Sequence, residues 1–499
     1  MRPRLLLLLT GVLLAQGAWL LSVPAFRGLD EFDHVYRAAS VARGEWLPSG
    51  EPAAHGRGEL VTVPRDLVDA AGPECRALPY TGHDNCVPAA DAGHGEVRVA
   101  SAAARYQPVY YWLVGTAGRA LHGTAAVDAM RAASALLCAA FVLLAGWSLS
   151  RWARTVWPSV ALVGCLTPVL VYSSVVVAPN ALEIVAAVSV WATLGGLCAR
   201  GVTARAERTL LWAAVPGAVV LANVRSLGIP FLGVIVLTVL LLLGRAGVAG
   251  LLRRHARTVA ACGTMVGAAV AAGAWWLVNA APNGLEQHLG NRGAVAGTLV
   301  QLPVWVLQTV GAAPGRRDPA PGLTYLLCGG LLAGLVVLAL RRAEPRLRLA
   351  VEGVAVLSLA VPVVLTLRTY RDVGVIWQGR YGMPLSLGVL LLAGLALDRA
   401  GTLRHPGRRV LAAAGALFAA GQAAAVLHVL RLEARTSPSP AAGLWHPPSE
   451  LVVVALTVLG WLLVAASLPA RDPTVPVAGR RHEPEPAASR SGAQERLVT

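Results

Sequence analysis

A short polar stretch after the first apolar segment carries residues that could perform acid–base chemistry. The chain reads DEFDHVYR from Asp30 to Arg37, and a helix over residues 30–44 would place Asp30, Asp33, His34 and Arg37 on one face. Paired carboxylates with a histidine one turn away suit a general base for a hydroxyl group, or binding of a divalent cation. The alternative is an amphipathic helix on a membrane surface, with Asp33 and Arg37 as a solvated ion pair. We assign Asp33 to that alternative, and Asp30, Glu31 and His34 are the catalytic candidates.

A second polar cluster lies near residue 380, on the outer side of the membrane in the topology derived below. Arginine in an outer loop runs against the usual charge bias, and binding of an anionic headgroup or a phosphate is one reason for it. The alternative is a structural pair with Asp372, or ordinary lipid contact. The binding candidates in this cluster are Arg371, Gln378, Arg380 and Tyr381.

Aromatic residues precede the second long apolar segment, in the run RYQPVYYW from Arg105 to Trp112. Tyrosine and tryptophan are typical of membrane interfaces, so an aromatic belt is the simplest interpretation. The apolar stretch that follows, to Leu121, is short for a span and predicts a helix lying on the outer surface. Tyr106 and Tyr110 are the binding candidates in this run.

Three polar residues fall at membrane depth, where ionisable groups are costly and are functional candidates by default. Asn180 and Glu183 begin one predicted span, and Arg225 separates two others. Glu183 and Arg225 could instead pair with each other, and the sequence alone leaves both possibilities open.

The seven cysteines divide into two groups. Five lie in apolar spans and are expected to be inert packing residues. Cys75 and Cys86 lie in the first outer segment, where a disulfide suits an oxidising exterior. A zinc site formed by these two residues with His83 and His94 is the alternative, although the spacing matches no familiar zinc pattern.

The elements that must position these residues are membrane helices. Of 499 residues, 56% are hydrophobic and only 14% are charged, with a mean hydropathy of +0.59, whereas a soluble domain carries roughly 25% charged residues. This composition excludes disordered and collagen-like proteins and argues strongly against a soluble enzyme. A span needs about 20 apolar residues, which predicts an all-α protein with about 12 transmembrane helices (10–13). The predicted spans are 5–23, 128–150, 156–177, 182–199, 209–223, 226–244, 258–281, 322–340, 349–367, 381–398, 410–430 and 449–468.

The charge distribution predicts the orientation. The net charge is +16, and every basic residue is arginine, as expected for a GC-rich genome such as that of an actinobacterium. With both termini in the cytoplasm, most arginines fall in inner loops and most acids outside, which agrees with the positive-inside rule. The excess of arginine then reflects the orientation of the chain in the membrane, and no nucleic-acid partner is expected. The predicted segments are a first helix 1–23, outer loops 24–127 and 282–321 (the first with surface helices), membrane bundles 128–281 and 322–469, and a disordered cytoplasmic tail 470–499.

Taken in order over residues 5–400, these motifs resemble a known family. The acidic pair followed by histidine, and the Tyr-x-Pro-x-Tyr-Tyr run, look like the opening of GT-C glycosyltransferases. The complete set is similar to the actinobacterial membrane proteins catalogued as domain of unknown function 2142, which are themselves GT-C-like. One departure is Gly28-Leu29 before the acidic pair, where the family pattern often has proline. The residues that carry the resemblance are Asp30, Glu31, His34, Arg37, Ala38, Asn180, Glu183, Arg225, Gln378, Gly379, Arg380, Tyr381 and Pro384.

The resemblance implies a plasma-membrane enzyme that transfers a sugar from a polyprenyl phosphate to an envelope acceptor on the outer face. Asp30 or Glu31 would be the base, His34 would orient it or help to hold a metal, and Arg380, with Arg371 or Arg225, would stabilise the departing phosphate. No cofactor is certain, and a divalent cation (Mg or Mn) stays open. The alternatives are a transporter or flippase for a lipid-linked precursor and a non-catalytic partner in envelope assembly.

Overall fold

Apolar helices form most of the chain, and the computed structural model describes residues 2–28, 30–280, 293–313, 318–375, 377–401 and 407–470. The predicted tail lies outside these residues. The helices are α1 (Arg2–Ser22), α2 (Glu31–Ala42), α3 (Arg65–Ala77), α4 (His83–Cys86), α5 (Pro108–Gly118), α6 (Gly123–Trp152), α7 (Trp157–Cys165), α8 (Pro168–Ser174), α9 (Asn180–Leu197), α10 (Ala204–Val224), α11 (Gly228–Asn279), α12 (Ala294–Val310), α13 (Gly322–Arg342), α14 (Pro345–Val373), α15 (Met383–Ala400), α16 (Gly407–Thr436) and α17 (Glu450–Ser467).

The membrane helices confirm a mostly helical, multi-pass membrane protein. Within the described residues, nine helices are long and apolar enough to cross a membrane, or ten if α7 and α8, bent by 59°, form one span. The predicted count of twelve is not confirmed. Two predicted spans, 226–244 and 258–281, lie in α11, whose 52 residues include non-helical backbone at Gly244 and His255. The predicted span 209–223 lies in α10, which is not among the nine.

A three-stranded antiparallel sheet lies between α2 and α5, where the sequence predicted only surface helices. Its strands are β1 (Glu59–Pro64), β2 (Ala90–Gly93) and β3 (Glu96–Ser101), with β3 in the centre. Val61 lies opposite Val99 and both are buried, so one face of the sheet packs inward.

A disulfide joins Cys75 in α3 to Cys86 in α4, which leaves neither thiolate free for a zinc ion. A second, two-residue pairing joins β4 (Ala312–Ala313) to β5 (Asp318–Pro319).

Close helix contacts hold the two ends of the described chain together. In α1 and α17, Gly11 and Gly460 face each other so closely that a Cβ on either would lie 2.7 Å from the other's carbonyl oxygen. Small residues at such a crossing let two membrane helices approach and pack. Helices α9 and α15 are buried along almost their whole length. Helix α2 is also buried along its whole length, although it is too short to span the membrane.

Candidate active site

The start of α2 sends two neighbouring carboxylates in different directions. Asp30 precedes the helix with a left-handed backbone, φ 55°, which aspartate adopts more readily than most residues. Its side chain is 34% exposed. Glu31 turns into the protein and is fully buried. These two acids are therefore chemically distinct, although they are adjacent in the chain.

Glu31 is neutralised by an arginine that the sequence analysis missed. Its Oε1 accepts hydrogen bonds from Arg131 Nε at 2.7 Å and from the Val177 amide at 3.0 Å. Its Oε2 accepts from Arg131 Nη2 at 2.5 Å and from the Gly28 amide at 3.2 Å. Arg131 lies inside predicted span 128–150, so its charge at membrane depth was a signal that could have been used. Both oxygens of Glu31 are occupied, which favours a structural role for this acid.

Asp30 and Asp33 share a second arginine that the sequence did not mark. Arg57 Nη2 lies 3.4 Å from Asp30 Oδ1 and 3.2 Å from Asp33 Oδ2. Asp33 is buried, and its Oδ1 accepts a hydrogen bond from the Ala102 amide at 2.6 Å. Burial, followed by the nearby charge of Asp30, raises the pKa of Asp33 to about 7, although Arg57 opposes the rise. Asp33 is thus part of the cluster, not a solvated residue on a helix surface, which corrects the sequence interpretation.

His34 lies among aromatic rings on the other side of α2. Its Nδ1 is 2.7 Å from the Tyr111 hydroxyl, and its ring stacks on Tyr111 and meets Tyr106 edge-on. Burial, with the positive charges of Arg225 and Arg380, lowers the pKa of His34 to about 3. The imidazole is therefore neutral at physiological pH and can exchange hydrogen bonds without adding charge.

Tyr106 contacts both His34 and Arg225. Burial raises the pKa of its hydroxyl, the charge of Arg225 opposes that rise, and Asp30 contributes to it. The hydroxyl hydrogen-bonds with the Arg225 side chain, and the ring meets His34 edge-on. Tyr106 thereby links Arg225, at the end of α10, to His34 in α2.

Arg225 and Glu183 form the pair that the sequence left open. Arg225 Nη1 is 3.0 Å from Glu183 Oε2, and the carboxylate is fully buried. The guanidinium also lies over the ring of Tyr381, 4.6 Å from its centroid. One unit of positive charge is offset by one carboxylate, so this pair alone adds little net charge.

Arg380 is different, because it has no carboxylate partner among the described residues. It is 7% exposed, its guanidinium lies 5.4 Å from the Tyr381 ring centroid, and its Nε is buried without a hydrogen-bond partner. A buried, uncompensated guanidinium is unfavourable unless an anion occupies the space beside it. The arrangement is suited to a phosphate, which accepts charge-assisted hydrogen bonds from arginine.

A close contact with α12 holds the turn that carries Arg380. The Gly379 amide donates to Gln308 Oε1 at 2.8 Å, and a Cβ on Gly379 would lie 2.1 Å from the Trp305 carbonyl oxygen. Only glycine fits at that distance. The short 3₁₀ turn Gly379–Gly382 then leads into α15. Gln308 is a further residue that no sequence motif marked.

The remaining candidates lie at varied distances from this cluster. The Tyr110 hydroxyl is 3.1 Å from Ser134 Oγ in the interior. Gln378 is partly buried, and its carbonyl accepts from the Tyr381 amide at 2.9 Å. Arg371 is exposed in the last turn of α14. Asn180 is buried in the first turn of α9, one turn before Glu183.

The described residues contain no group of three or more histidine, cysteine, aspartate or glutamate side chains that could hold a metal ion. Asp30 and Asp33 face Arg57, and His34 faces Tyr111. These side chains do not form a ligand set for a divalent cation.

Comparison with known proteins places the chain in a family. Residues 13–389 match predicted membrane proteins of the domain of unknown function 2142. This protein belongs to that family. The match includes the acidic start of α2 and the arginine turn before α15, so the site lies within the family region. No curated protein matches the sequence.

Two crystal structures of ArnT from Cupriavidus metallidurans are similar to this structure. One contains undecaprenyl phosphate, and the match has a TM-score of 0.45 and 16% sequence identity. The other is in the apo state, with a TM-score of 0.46 and 15% identity. Each match covers 92% of this chain and 76% of ArnT.

Proposed function

We propose that this protein is a membrane-embedded glycosyltransferase. It moves a sugar from a polyprenyl-phosphate donor to a cell-envelope glycan or lipid acceptor at the outer face of the plasma membrane. The observation that carries the proposal is that the described part of the chain combines a partly exposed carboxylate, Asp30, with a buried guanidinium, Arg380, that has no carboxylate partner among the described residues. Sugar transfer from a lipid phosphate needs a base for the acceptor and a cation for the leaving group.

Asp30 is the general base in this proposal. Its side chain is exposed enough to meet an acceptor hydroxyl, whereas both oxygens of Glu31 are taken by Arg131 and backbone amides. Asp30 therefore becomes the better of the two acids that the sequence offered. General-base catalysis of this kind contributes typically about 10²–10⁴-fold to a rate.

Arg380 stabilises the leaving phosphate, and Arg225 supports it from the same aromatic ring. Charge-assisted hydrogen bonds from a buried guanidinium are strongest where water is excluded. Arg225 shares its charge with Glu183, so the positive charge comes from Arg380, which pairs with no carboxylate in the described part of the chain. The neutral imidazole of His34 meets Tyr106 edge-on, and the Tyr106 hydroxyl contacts Arg225, so both groups can hydrogen-bond the sugar.

The reaction is a single inverting displacement. Asp30 accepts the proton of the acceptor hydroxyl as the acceptor oxygen bonds to the anomeric carbon. The bond between that carbon and the phosphate oxygen breaks on the opposite side. Polyprenyl phosphate leaves with the electron pair, and Arg380 binds the negative charge that develops.

The test is sugar transfer by membranes expressing the full chain. Labelled polyprenyl-phosphate sugars and envelope acceptors are supplied to wild type, Asp30→Asn, Glu31→Gln and Arg380→Ala. Arg368→Ala is the matched control, because Arg368 is an exposed arginine on α14. We expect donor-dependent label in the envelope fraction from wild type and the control, with loss in Asp30→Asn and Arg380→Ala at equal protein levels.

Other outcomes distinguish the alternatives. Transfer that is unchanged in Asp30→Asn and Arg380→Ala would contradict the proposed site. Movement of a labelled lipid precursor between leaflets of reconstituted vesicles, with no glycosidic product, would instead identify a flippase.

A further inference from the structure

Arg57 lies in the outer segment, outside every motif of the sequence, and yet it contacts the proposed base. One nitrogen, Nη2, faces both Asp30 Oδ1 and Asp33 Oδ2, at 3.4 Å and 3.2 Å. The guanidinium also lies over the ring of Tyr80, 4.9 Å from its centroid. Because one guanidinium nitrogen of Arg57 contacts both carboxylates, it restricts the orientation of each carboxylate.

Contacts outside α2 help to hold the loop around Arg57. The Arg57 amide donates to Asn85 Oδ1 at 2.9 Å, and its carbonyl accepts from Asn85 Nδ2 at 3.1 Å. The next residue, Gly58, has a φ of +87°, and a Cβ there would lie 2.0 Å from the Ser101 carbonyl oxygen. Asn85 is adjacent to Cys86, which the disulfide ties to α3. The hydrogen bonds with Asn85 and the nearby disulfide thus hold the loop that places Arg57 beside Asp30 and Asp33.

The orientation of the Asp30 carboxylate depends on Arg57 more than the orientation of the Asp33 carboxylate does. Asp30 precedes α2 with a left-handed backbone and no side-chain cap hydrogen bond, so the helix itself does not orient its carboxylate. Asp33, in contrast, is already held by the Ala102 amide. Within the described chain, Arg57 is the one cation that pairs with Asp30.

We propose that Arg57 is a positioning residue for the general base. It holds the Asp30 carboxylate toward the acceptor and offsets the repulsion between Asp30 and Asp33. This inference rests on the proposed function in its assignment of Asp30 as base. The contact with Arg57 is a separate feature of the protein and can be tested separately.

The first test measures transfer kinetics in Arg57→Gln and Arg57→Lys. The matched control is Arg65→Gln, which removes an exposed arginine paired with Asp91 in the same outer segment. A misdirected base acts on the chemical step, so we expect kcat to fall about a hundredfold in Arg57→Gln with little change in KM. Arg57→Lys should recover part of the loss, because it keeps the charge but not the planar fork.

The pH profile separates positioning from a purely structural role. The groups that face Asp33 are Asp30, Arg57, Tyr36 and Tyr80, and Arg57 is the cation among them. Without it the carboxylate pair takes up a proton more readily, so the acidic limb of the kcat profile should move to higher pH in Arg57→Gln. A lower yield of folded protein with an unmoved profile would overturn the proposal.

A second readout needs no donor, so it remains informative if the proposed function fails. Purified protein is treated with a water-soluble carbodiimide and an amine, and labelling of Asp30 is measured by peptide mass spectrometry across pH. We expect Asp30 to be labelled faster in Arg57→Gln than in wild type or Arg65→Gln, since the carboxylate loses its partner. Equal labelling in all three proteins would overturn the positioning role. Absence of transfer in wild type, with altered labelling in Arg57→Gln, would instead count against the glycosyltransferase alone.

Discussion

Glu31 and Arg131, one hundred positions apart, form a two-point ion pair in the interior, with Arg131 Nη2 2.5 Å from Oε2 and Nε 2.7 Å from Oε1. Both side chains are at most 1% exposed. The pair joins the start of α2 to α6. It therefore fixes the position of the backbone next to Asp30, the residue that precedes Glu31. A structural acid and the proposed base are thereby adjacent in the chain.

Glu31→Gln should reduce stability much more than Asp30→Asn. Removing one partner of a buried ion pair leaves the other charge uncompensated, at a cost of about 3–5 kcal/mol in the free energy of unfolding. Asp30 is one-third exposed, so its neutral variant should unfold close to wild type. Thermal unfolding in detergent measures both. Equal stability of the two variants would contradict the division of roles.

Arg380→Ala should weaken binding of polyprenyl phosphate, because the buried guanidinium has no other anion to pair with among the described residues. Loss of a hydrogen bond to a charged group corresponds to about a 10- to 150-fold change in affinity. Equilibrium binding of the labelled lipid to purified protein measures the change, and Arg368→Ala provides the comparison. Affinity that falls equally in both variants would indicate a general charge effect.

Asp33 should make stability depend on pH in a defined direction. Its pKa is about 7 in the folded protein against 3.8 for the free side chain, so the folded state binds more protons between these values. Stability should therefore fall as pH rises from about 4 to about 7, by up to about 1 kcal/mol per pH unit. Asp33→Asn removes this contribution, and unfolding measured at pH 5 and pH 7 should show a smaller difference than wild type. An identical difference in the two proteins would show that Asp33 ionises freely.

Loss of the Cys75–Cys86 disulfide should loosen the segment between α1 and α6. The two residues are 11 positions apart, and closing a loop of this size stabilises a fold by about 3 kcal/mol in the chain-entropy model. Cys75→Ala with Cys86→Ala should become more sensitive to limited proteolysis within residues 24–127, while the membrane helices remain intact. The remaining five cysteines are buried, so alkylation before and after reduction identifies the disulfide in wild type. A cleavage pattern identical to wild type would contradict this role.

The orientation of the chain is open to direct labelling. His94→Cys lies in the exposed turn between β2 and β3, and Arg205→Cys lies in the exposed first turn of α10. With both termini in the cytoplasm, a membrane-impermeant maleimide should label the first variant in intact cells, and the second only after the membrane is opened. Labelling of the second variant alone in intact cells would reverse the topology.

Part of the candidate site could be predicted from residue type and spacing. Asp30, His34, Tyr106, Arg225 and Arg380 were marked because ionisable and aromatic residues beside apolar spans are unusual. The structure links four of them by contacts, because His34 meets Tyr106, Tyr106 hydrogen-bonds with Arg225, and Arg225 and Arg380 both lie against Tyr381. Arg57, Asn85 and Gln308 were not marked, because a single arginine between glycines, or one amide in a loop or helix, has no distinguishing pattern. The sheet was also missed, because its strands are short and lie in a segment rich in glycine and proline.

By itself, the sequence determined that the chain is a multi-pass membrane protein, because the bilayer requires each span to be apolar over its own local length. It also determined which residues were candidates for chemistry. The tertiary structure alone decided which acid is available, since Glu31 meets Arg131 and Asp30 meets Arg57. It likewise decided that Arg225 is paired with Glu183, while Arg380 has no carboxylate partner among the described residues. The physical reason is that a charge is neutralised by the groups nearest to it in space. When those groups lie 27 to 100 positions away in the chain, the local sequence contains no pattern that identifies them.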